Sequence, residues 1–177
     1  PADLLSRDTV DIYGALISHW HFFVKRKKSE IKIRIFNPQQ EEEGWQSSHT
    51  IIEIVQEDRP FLIDSIRMAL TSLDINVHLM IYMGGMLVER NRFGEITEIL
   101  PFDKDSDSKT AVEAPMHIEI DKVTDDETMK KIKTAIETVL DDIQLSVFDW
   151  QNMRERLASS LVNVEKNSTL ISKSEHN

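Results

Sequence analysis

The stretch IIEIVQEDRPFLIDSIRMALTSL, residues 51–73, contains the transition that decides the fold. Its first part is an apolar, β-branched run interrupted by polar residues, a pattern that predicts a mostly buried strand. Beyond Pro60 the apolar residues recur at helical spacing, which predicts an α-helix. This helical face comprises Leu62, Ile66, Ala69, Leu70 and Leu73. A strand, a charged turn and a helix therefore follow one another directly.

Asp58 and Pro60 explain this junction by local chemistry. The Asp58 carboxylate is predicted to accept hydrogen bonds from the first free N–H groups of the helix, and Pro60 is compatible with the first helical turn. The junction thus needs no ligand to explain it, and whether the turn also holds one is left open.

Composition limits the classes of protein to consider. With 177 residues and 40% hydrophobic content, one domain is the default, and the formal net charge of -10 argues against nucleic acid partners. No apolar run approaches the roughly 20 residues that span a bilayer, and the N-terminus lacks a signal-peptide pattern, so we expect no membrane partner and a cytoplasmic location. The absence of cysteine excludes disulfides and thiol nucleophiles. The chain begins at Pro1, which indicates a piece of a larger protein.

The remaining elements follow from periodicity and turn chemistry. The predicted elements are a helix over 9–26 capped by Asp8, a strand over 30–36, a strand over 77–83 continuing into a hairpin that turns at 91–94, a polar loop over 103–115, a strand over 116–120, a helix over 125–141 opened by a capping box at 124–127, a strand over 145–148, a helix capped by Asp149, and a disordered tail. From residue 51 to 148 this order is the ferredoxin-like βαββαβ plan of an α+β protein. It predicts an antiparallel sheet of Ile51–Val55, Val77–Met83, Met116–Ile120 and Leu145–Phe148, with both helices on one face.

Two groups of residues imitate metal sites. The alternating aspartates of residues 103–107 resemble the start of a calcium loop, but Ser108 and Ala114 occupy the positions that require glycine and glutamate. His19 and His21 are two apart on a helix, so their side chains diverge by about 200° and cannot share an ion. His78 and His117, on predicted strands, are interpreted as ordinary histidines. We therefore expect no metal site.

Catalytic signatures are also missing from the sequence. It contains no GxGxxG, GxxxxGK[ST], GxSxG or HExxH, and no carboxylate pair is arranged for acid/base chemistry. We expect neither catalytic residues nor a bound cofactor in this chain.

Two resemblances indicate a family. EDRPFLIDSI resembles the D-R-P-G-L-L signature of ACT domains through Asp58, Arg59, Pro60 and Leu62, with Phe61 in place of the glycine. Nearly the whole chain resembles the N-terminal ACT-like region of the very large bacterial NAD-dependent glutamate dehydrogenases, in which phenylalanine belongs at that position. The matching segments are DIYGALISHW, RIFNP, GWQSSHTIIEIVQEDRPFLIDSI, NVHLMIY and FDWQNM.

The second resemblance implies a noncatalytic regulatory or assembly module of an enzyme that oxidatively deaminates glutamate. It places the catalytic residues and the NAD site elsewhere in the parent enzyme, and it makes the other domains and subunits of that enzyme the partners. The chain then divides into an N-terminal helix and strand extension (1–45), an ACT-like domain (46–150) and an exit helix with a flexible tail (151–177).

The same resemblance directs attention to an amino acid effector site between the turn and the next strand. The expected residues are Asp58, Arg59, Pro60, Phe61, Leu62, Asn76 and Val77. Free N–H groups at the helix start attract a carboxylate, Asn76 offers a hydrogen bond, and Asp58 suits an ammonium. The alternative is a purely structural subunit-contact module. A Phe61 ring that fills the cleft favours this alternative, whereas a displaced ring leaves room for a ligand.

Overall fold

The computed structural model describes residues 7–101 and 110–166, without the side chains of residues 148–152 and 163–166. The elements are α1 (Thr9–Val24), β1 (Lys32–Phe36), α2 (Gln40–Glu43), β2 (Thr50–Glu57), α3 (Leu62–Ser72), β3 (Val77–Tyr82), β4 (Met86–Arg90), β5 (Ile96–Leu100), β6 (Thr110–Ile120) and α4 (Asp126–Lys166). Within these ranges no helix is both long enough and apolar enough to cross a membrane.

Strand β6 organises an antiparallel sheet. It pairs with β2 along the full length of β2, and on its other side it pairs first with β4 and then with β3. Strand β5 extends the sheet beyond β4, and β1 extends it beyond β2. Gly84 and Gly85 lie in the turn that separates β3 from β4. A Cβ atom added to Gly84 would lie 2.0 Å from the Tyr82 ring. The backbone of Gly84 thus lies against the Tyr82 side chain.

The core lies on one face of this sheet. Alternate residues of β2 and β6, including Ile52, Ile54 and Ile118, are completely buried against α3 and α4. Helices α3 and α4 therefore share one face, as the α+β ferredoxin-like plan requires. The opposite face carries polar residues and is covered by α1, whose His19 and Phe23 are buried.

The predicted strand Leu145–Phe148 is wrong. These residues belong to α4, which is a single helix of 41 residues and also runs through the predicted cap at Asp149. The physical reason is that residues 124–166 contain neither glycine nor proline, so nothing in the sequence stops the helix. The place beside β2 that this strand would fill is taken by β1, which pairs antiparallel to β2.

The predicted loop over 103–115 is wrong in its second part. Residues 110–115 form the first half of β6, while residues 103–109 lie outside the described residues. Pro115 reads as a strand breaker, but it lies where β6 changes its neighbour from β4 to β3. Because that side of the ladder is already interrupted, proline is tolerated there. The first turn of α4 is also displaced, since Asp125 rather than Thr124 accepts the hydrogen bond from the N–H of Thr128.

Candidate functional site

The β2–α3 turn has a different geometry from the predicted one. The Asp58 carboxylate accepts a hydrogen bond from the Tyr82 hydroxyl, and α3 begins only at Leu62, with no side chain capping it. The predicted Asp58 cap is therefore wrong, because three residues separate Asp58 from the helix and its side chain faces the end of β3. Burial and the contact with Asp58 raise the pKa of Tyr82 to about 12.

Phe61 occupies the position immediately before the helix. Its φ angle of 70° is left-handed, a conformation that glycine adopts without strain, and its side chain is 73% exposed. The ring thus lies outside the turn instead of filling it. Of the other turn residues, Arg59 forms an ion pair with Glu57 at 2.9 Å, and Leu62 is buried in the core.

Asn76 and Val77 lie at the other end of the sheet from this turn. The end of β2 is level with Glu113 of β6, whereas Val77 is level with Ile120. Seven strand residues separate the two levels, roughly 23 Å. Helix α3 returns the chain to the starting end of β2, so strand β3 must begin there.

Three of the expected effector residues, Asp58, Asn76 and Val77, therefore border two separate pockets. Asp58 borders a cleft of about 940 Å3 that also contains Lys25, Lys27 and Arg92. Asn76 and Val77 border a smaller pocket of about 400 Å3. In the smaller pocket the Asn76 amide donates a 2.7 Å hydrogen bond to Asp121, and the structure does not bring this pair to the β2–α3 turn within one chain.

The sheet face beneath α1 holds a buried charge network that the sequence analysis did not anticipate. Glu53 is completely buried, accepts hydrogen bonds from Arg34, and has its Oε1 atom 3.5 Å from His19 Nδ1. Burial raises the pKa of Glu53, but the neighbouring His19 ring and the Arg34 guanidinium outweigh burial and lower the pKa overall. Glu53 is therefore held as an anion.

Glu119 forms the second half of this network. The Arg7 guanidinium donates two hydrogen bonds to its carboxylate, at 2.5 and 2.8 Å. His49 Nδ1 lies 3.2 Å away, and His117 Nε2 lies 3.4 Å away. Burial raises the pKa of Glu119, but His117 and Arg7 outweigh it and bring the pKa to about 2.

A cavity of about 580 Å3 opens between this network and α1. Its lining includes Arg7, Trp45, His49, Leu79, Ile81 and His117. The volume is within the range of small-molecule sites, and the lining mixes apolar walls with a few charged groups. A signal for this face was present in the sequence, since Glu53 alternates with core isoleucines. The covering by α1 was not readable from that alternation.

A second buried ion cluster fixes the end of α1 to the sheet. Glu113 is completely buried and accepts a 2.8 Å hydrogen bond from Arg26 and two more, both at 2.8 Å, from Arg90. Arg90 also donates to the carbonyl groups of Phe23 and Val24, the last residues of α1. Arg26 belongs to the basic segment 25–28 that follows α1. Together with Glu113 and Arg90 it forms a clamp that holds the end of α1 on the sheet.

Comparisons with known proteins found a matching family model and related sequences. The family model described as glutamate dehydrogenase, ACT1 domain, matches residues 1–136. The chain is 32% identical over 163 residues to an NAD-specific glutamate dehydrogenase of Halomonas elongata, covering 92% of this chain and 10% of that protein. It is 32% identical over 155 residues to an NAD-specific glutamate dehydrogenase of Pseudomonas aeruginosa, covering 87% of this chain and 9% of that protein.

The chain thus spans about a tenth of the length of these curated relatives. No solved structure is significantly similar to it. The family model covers more than half of the chain, and its description agrees with the ACT-like signature at the β2–α3 turn. The chain belongs to the family of glutamate dehydrogenase ACT1 domains.

Proposed function

We propose that this chain is a noncatalytic regulatory and assembly domain of a larger NAD-specific glutamate dehydrogenase. The relatives carry that name, and the chain corresponds to a small part of them. Among the described residues, buried glutamates form ion pairs that hold elements together. Oxidative deamination of glutamate with NAD is then the work of the remainder of the parent enzyme.

The observation that carries the assembly role is an apolar stripe on the second half of α4. Val147 is the last described side chain of α4 that packs on the core. Beyond it, Met153, Leu157 and Leu161 recur every four residues and are 55%, 63% and 58% exposed. An exposed apolar stripe of this kind marks a protein contact. We propose that another part of the parent enzyme covers it.

Helix α1 presents a second surface of the same kind. Val10, Tyr13, Ile17 and Trp20 follow at intervals of three and four residues, and each is exposed. The opposite side of α1 contacts the sheet through His19 and Phe23. The domain therefore offers a second exposed apolar surface that other domains could cover.

We expect the double substitution Leu157→Asp and Leu161→Asp in the full-length parent enzyme to weaken its assembly. The charges must be desolvated if the stripe is covered, so the oligomer should dissociate at higher protein concentration. Light scattering coupled to size-exclusion chromatography measures this. Ser159→Asp, two residues from Leu157 and thus on a different side of α4, is the matched control. Equal behaviour of both variants and wild type contradicts the assembly role.

The cleft at the β2–α3 turn supports a regulatory role as well. Asp58 suits the ammonium of an amino acid, and Lys25, Lys27 and Arg92 suit its carboxylate. The displaced Phe61 ring leaves the start of α3 accessible. We propose that an amino acid effector binds in this cleft, and the purely structural module remains the alternative.

Calorimetry of the isolated chain against the common amino acids tests the effector. We expect binding of at least one amino acid, a loss of about tenfold or more in affinity in Asp58→Ala, and unchanged affinity in Asn76→Ala, which alters the other pocket. NAD in the same assay should give no heat. If no amino acid binds, the structural alternative is correct; if glutamate and NAD yield NADH, the domain is catalytic and the proposal fails.

A further inference from the structure

We propose that His19, Glu53 and His117 form a binding site for a divalent transition-metal cation, with Zn2+ as the best fit. The three side chains come from α1, β2 and β6 and are 7%, 0% and 8% exposed. Each offers one ligand atom, and these three atoms lie within 4.8 Å of one another. The proposal is independent of the effector and assembly roles.

The hydrogen bonding of the site points to a missing partner. Both ring nitrogens of His19 and the Oε1 atom of Glu53 are buried and make no hydrogen bond within the described part of the chain, although His19 Nδ1 and Glu53 Oε1 face each other at 3.5 Å. Burying such groups without a partner is costly, and a cation bound to their lone pairs removes that cost. The other carboxylate oxygen of Glu53 is held by Arg34, which leaves Oε1 free for a metal.

The scaffold positions the ligands before a metal arrives. Glu53 and His117 are direct cross-strand partners in the β2–β6 ladder, so the sheet fixes their side chains next to each other. His19 comes from the helix that covers them, with its ring centroid 6.1 Å from that of His117. Ligand atoms at about 2.0–2.2 Å from a tetrahedral zinc ion lie about 3.4 Å apart, so the three atoms must move closer together when the ion binds.

The chemistry of the ligands favours a transition metal over Ca2+ or Mg2+. Two imidazoles and one carboxylate are a common set of protein ligands for zinc, whereas Ca2+ and Mg2+ require several oxygen ligands. Glu119 lies 3.4 Å from His117 Nε2, an arrangement in which a carboxylate orients a metal-bound imidazole. His19 and His117 also border the cavity of about 580 Å3, which gives an ion a route in and leaves a fourth position for water or another ligand.

Metal titration of the metal-free isolated chain tests the site. Calorimetry with Zn2+ should show one ion per chain, with no comparable binding of Mg2+, and the unfolding temperature should rise with Zn2+. Substituting Co2+ should give visible ligand-field absorption. His19→Ala should weaken Zn2+ binding by about tenfold or more. His21→Ala, an exposed histidine on the same helix, is the matched control and should bind as wild type does.

Two variants are tested, so that poor folding of one of them does not prevent a decision about the metal site. Folding of His19→Ala is checked by circular dichroism, and His117→Gln provides a second variant from a different element. Absence of Zn2+ binding to the wild-type chain overturns the proposal, as does a Co2+ spectrum without nitrogen coordination. Equal affinity of folded His19→Ala and His21→Ala also overturns it and identifies the cluster as a metal-free charge network.

Discussion

Replacing Glu113 with alanine is expected to lower the free energy of unfolding by about 3–5 kcal/mol, because it leaves two guanidinium groups near the sheet without their counter-charge. Arg26 is 2% exposed. Apart from Glu113, Arg90 donates to the backbone carbonyl groups of α1 and Gly94, which cannot replace the negative charge. Urea denaturation followed by circular dichroism measures the loss. Glu98→Ala, an exposed glutamate on β5, is the control and should change stability by less than about 0.5 kcal/mol.

The same cluster gives the stability a definite pH dependence. Burial raises the pKa of Glu113, but hydrogen bonds from Arg90 and Arg26 outweigh burial and lower it overall. A carboxyl group whose folded pKa is depressed stabilises the protein above its ordinary pKa of about 4.3, and that contribution is lost as pH falls toward the folded value. Wild type should therefore lose more stability than Glu113→Ala between about pH 5 and pH 2. Equal losses of stability in the two proteins contradict the assignment of Glu113, Arg26 and Arg90 as a clamp.

Replacing Ile136 with alanine is expected to cost about 2–5 kcal/mol. Ile136 is completely buried on the side of α4 that faces the sheet and α3, so truncation removes apolar contact and leaves a cavity. Thermal and urea unfolding measure the change.

Thr138→Ala is the matched control on the exposed side of the same helix. Its hydroxyl contacts only the carbonyl of Thr134 among the described hydrogen bonds, and alanine is a better helix former. We expect this variant to be as stable as wild type or slightly more stable. A similar loss in both variants contradicts the packing of α4 on the sheet.

Periodicity predicted the elements whose signals are local and strong. The β2–α3–β3 unit, the β4–β5 hairpin, the second half of β6 and the start of α4 follow from apolar spacing and turn residues. The edge beside β2 could not be predicted in this way, because the choice between β1 and a C-terminal strand depends on long-range pairing. The run QLSVF is short, and its apolar residues suit a strand or a helix equally.

The candidate sites also depend on contacts between distant parts of the chain. Asp58 was expected to cap α3, since helix-start chemistry favours aspartate, but Phe61 takes the position before the helix and Tyr82 takes the carboxylate. His19, Glu53 and His117 are distant in the sequence and meet only because α1 crosses the polar face of the sheet. No spacing rule within one element can reveal such a cluster.

Helix α4 is continuous and extends well beyond the part that packs on the core. The helix is 41 residues long, about 61 Å, and its first half packs against α3 and the sheet. From Val147 to the end of the helix the arm is about 28 Å long. A tilt of about 10° in the packed half of a straight helix moves the far end by about 5 Å. The packed half of the helix, residues 126–147, is about as long as this arm, so the far end moves by about as much as the packed half moves against the core.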